Sequence, residues 1–114
     1  MRLYQDTAPT EVKIDNITYT LSWIDADSEE GKEYLGRHDP ANSEIRLNRA
    51  LTLEHARDVL LHEIVHAFLW KGGLQNVRRV DDAEELVCTI LPSAMIRLHR
   101  DNPVLWVWLF PEKQ

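Results

Sequence analysis

Apolar and polar residues alternate over residues 11–24, which predicts β-strands in the first part of the chain. The apolar positions share one parity up to Ile14 and the opposite parity from Ile17 onward. This change of parity falls at Asp15 and Asn16, a pair with turn composition. It predicts a turn or bulge between two strands.

The following segment is mostly polar and carries one further strand signal. Residues 25–36 are predicted to form a loop with one helical turn, and residues 38–42 have the composition of a turn. Residues 44–48 alternate again, which predicts a short strand directly before the most apolar part of the chain.

That apolar part, residues 53–70, predicts a helix. Thr52 is suited to cap its N-terminus. A lysine followed by Gly72 and Gly73 is typical of a helix end. Apolar residues occupy most sides of this helix, so we predict that it is buried.

A second helix is predicted over residues 83–99. Its apolar stripe consists of Val87, Ile90, Leu91, Ala94 and Leu98. Pro92 lies within it and predicts a kink or a break. Asn102 and Pro103 predict the cap and first residue of a short third helix over residues 104–110. Strands followed by helices indicate an α+β fold.

The composition fits one globular domain, residues 1–114, with 44% hydrophobic residues. A net charge of -6 argues against direct binding of nucleic acid. The single cysteine, Cys88, excludes an intramolecular disulfide. The N-terminus lacks the apolar core of a signal peptide, and no apolar run approaches the roughly 20 residues of a membrane span. We therefore expect a cytoplasmic protein without membrane contact.

Residues 62–66 read His62-Glu63-Ile64-Val65-His66, an H-E-x-x-H motif within the predicted apolar helix. Histidines four residues apart project from one helical face, so both imidazoles can reach one metal ion. Glu63 lies to the side of that pair, where a carboxylate can hold a water molecule. This is the arrangement of zinc hydrolases.

The apolar surroundings strengthen the metal interpretation. Burying two imidazoles and a carboxylate without partners would cost several kcal/mol, and a bound metal removes that cost. The alternative is a pair of core histidines bonded to backbone carbonyls, with Glu63 in an internal ion pair.

A catalytic zinc site needs a third protein ligand. No histidine follows His66 at the spacing of longer zinc-protease motifs. Glu84 opens the second helix on its apolar stripe, whereas Glu85 lies about 100° further round. We therefore predict Glu84 as the third ligand, with Glu85 or Asp81 as alternatives. The structural alternative is that Glu84 binds no metal and is a carboxylate at the start of a helix, where it interacts favourably with the helix dipole.

Other residues are weaker candidates. His55 lies about 10 Å from His62 along the helix, too far to share the ion. His38 is a candidate for contacting substrate or an oxyanion. His99 suits the dipole at a helix end, and Cys88 is predicted to be a small buried residue, not a ligand. Four aromatic residues are predicted to belong to the core: Trp70, Trp106, Trp108 and Phe110.

The motif and the helix that begins near Glu84 resemble minimal zinc metallopeptidases of the ImmA/IrrE and SprT types, in particular small phage- and prophage-encoded proteins. The resemblance spans residues 33–110. It implies a minimal zincin: a small antiparallel sheet, an H-E-x-x-H helix and a second, glutamate-bearing helix. It also implies a protein or peptide substrate, for example a phage or bacterial regulator.

These observations predict a zinc metallopeptidase. His62, His66 and Glu84 are expected to hold Zn²⁺, and Glu63 to act as general base and then acid. Manganese, iron or cobalt would suit the same ligands. Strand 44–48 is expected to be a sheet edge that pairs with an extended substrate.

Two other functions remain open at this point. One is a non-catalytic zinc-binding interaction module, in which the metal is structural and Glu63 is dispensable. The other is a DNA-associated role, as in some SprT-like proteins, against which the acidic charge argues.

Overall fold

The computed structural model describes residues 3–112, which form an α+β fold. The strands are β1 (Glu11–Ile14), β2 (Ile17–Ile24), β3 (Gly36–Asp39) and β4 (Glu44–Asn48). The helices are α1 (Glu29–Glu33), α2 (Leu53–Lys71), α3 (Val80–Asp101) and α4 (Pro103–Leu109). Short 3-10 turns lie at Tyr4–Thr7 and Leu74–Asn76.

The four strands form one mixed sheet in the order β1-β2-β4-β3. The prediction of an antiparallel sheet was wrong for one pair, because β2 and β4 run parallel. Parallel neighbours need a crossover, and α1 with β3 supplies it before the chain returns as β4. The β1–β2 and β3–β4 pairs are antiparallel hairpins.

One face of the sheet carries the core. The residues that point to this face have the parity predicted from the sequence, including the switch at the β1–β2 turn. They are Val12, Ile14, Tyr19, Leu21, Ile45 and Leu47. α2 packs across this face, and α3 and α4 complete the core with Ala94, Leu98, Leu105 and Leu109. Each buried large apolar side chain contributes about 1.5–3 kcal/mol.

The predicted boundaries of α2 are confirmed. The Thr52 hydroxyl accepts a hydrogen bond from the backbone N–H of His55 at 3.3 Å, so it caps the helix. The helix ends at Lys71, and Gly73 follows in the left-handed conformation with φ of 88°. That conformation reverses the chain at a cost that only glycine avoids.

α3 is longer than predicted and passes through Pro92 without a break. Pro92 is exposed, and so is Cys88, whose carbonyl would otherwise accept a hydrogen bond from residue 92. Water can therefore donate a hydrogen bond to the Cys88 carbonyl in place of the missing N–H of Pro92. Within residues 3–112, no helix is long and apolar enough to cross a membrane.

The β1–β2 turn is tied to two helices by ion pairs. Arg97 of α3 bonds both carboxylate oxygens of Asp15, with its Nη2 3.2 Å from Oδ2. Lys71, at the end of α2, donates to Asn16 Oδ1 at 2.7 Å and to Asp15 Oδ2 at 3.4 Å. The hydrogen bond from Arg97 lowers the pKa of the Asp15 carboxyl below its ordinary value.

Replacing Asp15 by asparagine should make stability less dependent on pH. The Asp15 pKa is lower in the folded state, so its contribution is complete above the unfolded-state value of about 3.9 and is lost as pH falls through the folded-state pKa. We expect Asp15→Asn to lose roughly 1 kcal/mol at pH 7 and little at pH 2. Asparagine tolerates the local φ of 57°.

Urea unfolding of both proteins at pH 7, 4 and 2 measures this. Asp27→Asn, a change at an exposed loop aspartate, is the control and should follow the wild type. If the stability difference between Asp15→Asn and the wild type were the same at all three pH values, the ion pair would not be its source.

Asn102 closes the outer edge of β1. Its Oδ1 accepts from the Lys13 N–H at 2.7 Å, and its Nδ2 donates to the Lys13 carbonyl at 2.9 Å. Nδ2 also donates to the Leu98 carbonyl at 3.1 Å, at the end of α3. One buried amide thus substitutes for a neighbouring strand and joins the sheet to the α3–α4 corner.

Candidate functional site

The two histidines of the motif converge at the surface of α2. Their Nε2 atoms are 3.0 Å apart, and both side chains are exposed. Two nitrogens bound at about 2.0–2.1 Å to one tetrahedral zinc would be about 3.3 Å apart. His62 and His66 therefore lie close to the spacing that a shared metal ion needs.

The prediction that the whole motif is buried was wrong for the histidines. The exposed side of α2 includes Asp58, His62, His66 and Trp70, which follow one another at intervals of four residues. The core contacts come from another side of the helix. The sequence did not show this because Leu61, Val65 and Leu69, which are only half-buried, add apolar residues outside the core face.

Glu63 points to the interior, with an exposed fraction of 7%. Burial raises the pKa of its carboxyl, and the two neighbouring imidazoles act in the opposite direction. A carboxylate with a raised pKa is a better proton acceptor than an exposed one. Glu63 also lies at the wall of two grooves between α2 and β3.

β3 lies directly against α2 because Gly36 has no side chain. A Cβ at this position would be 2.5 Å from Val59 Cγ1 and 3.3 Å from Glu63 Cγ. A larger residue would push the strand away from the helix. Gly36 therefore sets the separation between Glu63 and the backbone of β3.

The strand at the sheet edge is β3, and the prediction that residues 44–48 form the edge was wrong. β4 is paired on both sides, with β2 and with β3. Within residues 3–112, no strand pairs with the outer side of β3. The Leu35 carbonyl accepts from the Asn48 N–H at 2.9 Å, so by antiparallel alternation the backbone groups of Gly36 and His38 point outward.

His38 is brought to the site by this strand. It lines a groove of about 340 Å³ together with Glu63 and His66. Its Nε2 lies 3.0 Å from the hydroxyl of buried Tyr19. Burial, with a further contribution from His66, lowers the pKa of His38, which favours the neutral ring at pH 7.

A second groove of about 410 Å³ continues past the other side of the motif. It lies between β3 with the residues before it and the helix positions around His62. Its lining residues are Glu33, Tyr34, Leu35, Gly36, Asp58, Val59, His62 and Glu63. The two grooves adjoin along β3, where Gly36 and Glu63 line both, and together they are called the track along β3.

The structure does not bring Glu84 to the histidines. Glu84, Glu85 and Asp81 are all exposed near the start of α3. Among residues 3–112, no three His, Cys, Asp or Glu side chains are grouped as metal ligands. The buried residues of α3 are Ala94 and Leu98, both in its second half. The first half, which carries Glu84, contributes no buried residue to the core.

The remaining candidates have structural positions. His55 and His99 are exposed, and the His99 ring contacts Trp106 with centroids 4.7 Å apart. Cys88 is exposed, so its prediction as a buried residue was wrong. Trp70 and Phe110, predicted for the core, are exposed at 44% and 47%. Trp106 and Trp108 are partly buried and pack against the core.

Sequence reasoning missed β3 and therefore Gly36 as part of the site. It also missed the contact of His38 with Tyr19, which lies in β2. Gly-Arg-His-Asp has no apolar alternation, as expected for a polar edge strand. The turn composition at Pro40 and Asn42 could have indicated β3, because a turn directly before a strand often connects it to a second strand.

Comparisons with protein-family models, with curated proteins and with solved structures found no match to this chain.

Proposed function

We propose that this protein is a zinc-dependent metallopeptidase that cleaves a protein or peptide substrate. The observation that carries the proposal is the convergence of the His62 and His66 Nε2 atoms, 3.0 Å apart, beside a buried Glu63 at an open strand edge. A pair of structural core histidines would not be exposed. A solvated helix face would not need a glutamate in the interior next to the histidines.

The donor set fits zinc at two positions. His62 and His66 would hold the ion through Nε2. Glu84 remains the predicted third ligand, with Glu85 and Asp81 as alternatives, because they are the carboxylates that open the next helix. Bound zinc lowers the pKa of a coordinated water to about 7 and polarises a carbonyl group.

The chain's own residues supply the proton transfers and the orientation. Glu63 takes a proton from the attacking water and passes it to the leaving amine. The outward N–H and C=O groups of Gly36 and His38 pair with an extended substrate by strand addition. His38, oriented by the Tyr19 hydroxyl, faces the same groove and contacts the substrate near the scissile bond.

Metal content tests the site directly. We expect about one zinc per purified chain, measured by elemental analysis. We also expect zinc affinity to fall at least about 100-fold in His62→Ala and in His66→Ala. His55→Ala removes an exposed histidine from the same helix and should retain zinc. Glu84→Gln, Glu85→Gln and Asp81→Asn, compared in parallel, identify the third ligand.

A wild-type protein that takes up no zinc, even when zinc is offered and the excess removed, would overturn the proposal. Equal zinc loss in His55→Ala and His62→Ala would also count against it. Such a result would indicate general destabilisation of α2, not the loss of a ligand.

A non-catalytic zinc-binding module is the second candidate. It is favoured by the exposure of both histidines together with the position of Glu84 away from them, because a ligand from a partner protein would complete such a site. In that case Glu63→Gln would leave partner binding unchanged, and no peptide would be cleaved by the zinc-loaded wild type.

A further inference from the structure

A small apolar pocket lies next to His66, at one end of the track along β3. Its volume is about 200 Å³. Its lining residues are His38, His66, Leu69, Trp70, Leu74 and Gln75. Three of these are large apolar side chains, and none is an aspartate, glutamate, lysine or arginine.

The pocket is formed by the reversal of the chain after α2. Gly72 donates to the Phe68 carbonyl at 2.9 Å and Gly73 to the Trp70 carbonyl at 3.1 Å. With its positive φ, Gly73 then directs Leu74 and Gln75 back beside the last turn of the helix. The ring of His38 approaches Trp70 edge-on, with centroids 6.3 Å apart, and forms the opposite wall.

The size and lining define what the pocket can accept. Pockets that hold whole small-molecule ligands measure about 300–1,000 Å³, so this one suits a single large side chain. Trp70 is 44% exposed. Covering it with an apolar group would be favourable because apolar surface would leave water, whereas a charged group would lose hydration without gaining a partner.

The pocket is continuous with the open edge of the sheet through His38. This residue lines the pocket with its side chain, and by strand alternation it turns its backbone groups outward. In a peptide paired with β3, every second side chain points to the face that carries α2. One of those side chains would therefore enter the pocket beside His66.

We propose that this pocket binds a bulky apolar side chain, such as leucine, methionine or phenylalanine, of an extended peptide paired with β3. This inference rests on the proposed function in one respect only. If the protein is a peptidase, the pocket sets its preference for an apolar residue close to the scissile bond. Peptide binding itself does not depend on catalysis.

The test uses two end-blocked peptides, acetyl-Ala-Ala-Phe-Ala-Ala-amide and the same peptide with asparagine in the central position. Each is titrated into ¹⁵N-labelled, zinc-treated Glu63→Gln protein and followed by NMR. We expect the phenylalanine peptide to shift the Trp70 indole signal and the backbone amides of Gly36 and His38 together. The asparagine peptide should bind at least about fivefold more weakly.

Leu74→Asp places a charge in the pocket and should weaken the phenylalanine peptide at least about fivefold. Leu3→Asp, at an exposed leucine that does not line the pocket, is the matched control. It should bind the phenylalanine peptide as tightly as the Glu63→Gln protein without a second substitution. Equal binding of the two peptides would overturn the proposal. Unchanged affinity in Leu74→Asp, or shifts confined to the other tryptophans, would overturn it as well.

The outcomes for the pocket and for the peptidase are separable. Selective binding of the phenylalanine peptide by a protein that takes up no zinc would support the pocket and overturn the peptidase. Zinc uptake and cleavage without selectivity between the peptides would support the peptidase and overturn the pocket.

Discussion

Replacing Glu63 by glutamine is expected to lower peptide cleavage by roughly 10²–10⁴-fold while zinc remains bound. Glutamine matches glutamate in shape but cannot accept and return a proton. The side chain is buried between α2 and β3, so a change of similar volume should leave the packing near Gly36 intact. The loss should appear in kcat more than in KM, because the proposed role of Glu63 is to transfer a proton during the reaction and not to bind the substrate.

A peptide that the wild type cleaves is first identified by mass spectrometry in a denatured protein mixture. Its kcat and KM are then measured for each variant, with zinc content determined on the same samples. Glu54→Gln changes an exposed glutamate in the first turn of the same helix and should cleave like the wild type. A Glu63→Gln protein that retained wild-type cleavage would remove Glu63 from the mechanism. Loss of zinc together with cleavage would show that Glu63 maintains the site and would leave its role as a base unsupported.

Replacing Asn102 by aspartate is expected to reduce the free energy of unfolding by about 3 kcal/mol at pH 7. The amide of Asn102 makes three hydrogen bonds at a position that is 7% exposed. Aspartate keeps an acceptor for the Lys13 N–H. Its second oxygen, however, would face the carbonyls of Lys13 and Leu98, so acceptors would oppose one another around a buried charge.

Chemical denaturation at pH 7 checks this expectation. Asn76→Asp makes the same chemical change at an exposed position after α2 and should change stability by less than about 0.5 kcal/mol. If Asn102→Asp were as stable as Asn76→Asp, the amide would contribute nothing to holding β1 against the α3–α4 corner. If it is destabilised as expected, the outer edge of β1 depends on a side chain, whereas no strand within residues 3–112 pairs with the outer edge of β3.

Several parts of the fold followed from local patterns. The parity change at Asp15 and Asn16 indicated the β1–β2 turn, and the alternation of residues 44–48 indicated β4. Thr52 and the glycines after Lys71 marked the ends of α2. These features are readable because turns, helix caps and the alternation of a strand with one apolar face are set mainly by residues close in sequence.

Long-range contacts were not readable in this way. β3 has no apolar alternation, and its place at the sheet edge depends on β4 inserting beside β2. Glu84 illustrates the same limit, because its helical phase was known but the position of its half of α3 relative to α2 was not. Helical phase says which residues share a face, and only packing decides what that face meets.

The sequence by itself determined that His62 and His66 share a helical face and that Glu63 lies to one side of them, because the α-helix repeats every 3.6 residues. The tertiary structure decided that the histidines face solvent while Glu63 faces the interior, and that β3 lies within reach of both. The physical reason is that α2 has more apolar surface than one sheet face can cover. The covered side is the one that packs on the sheet, and Gly36 lets β3 approach it closely at Val59 and Glu63.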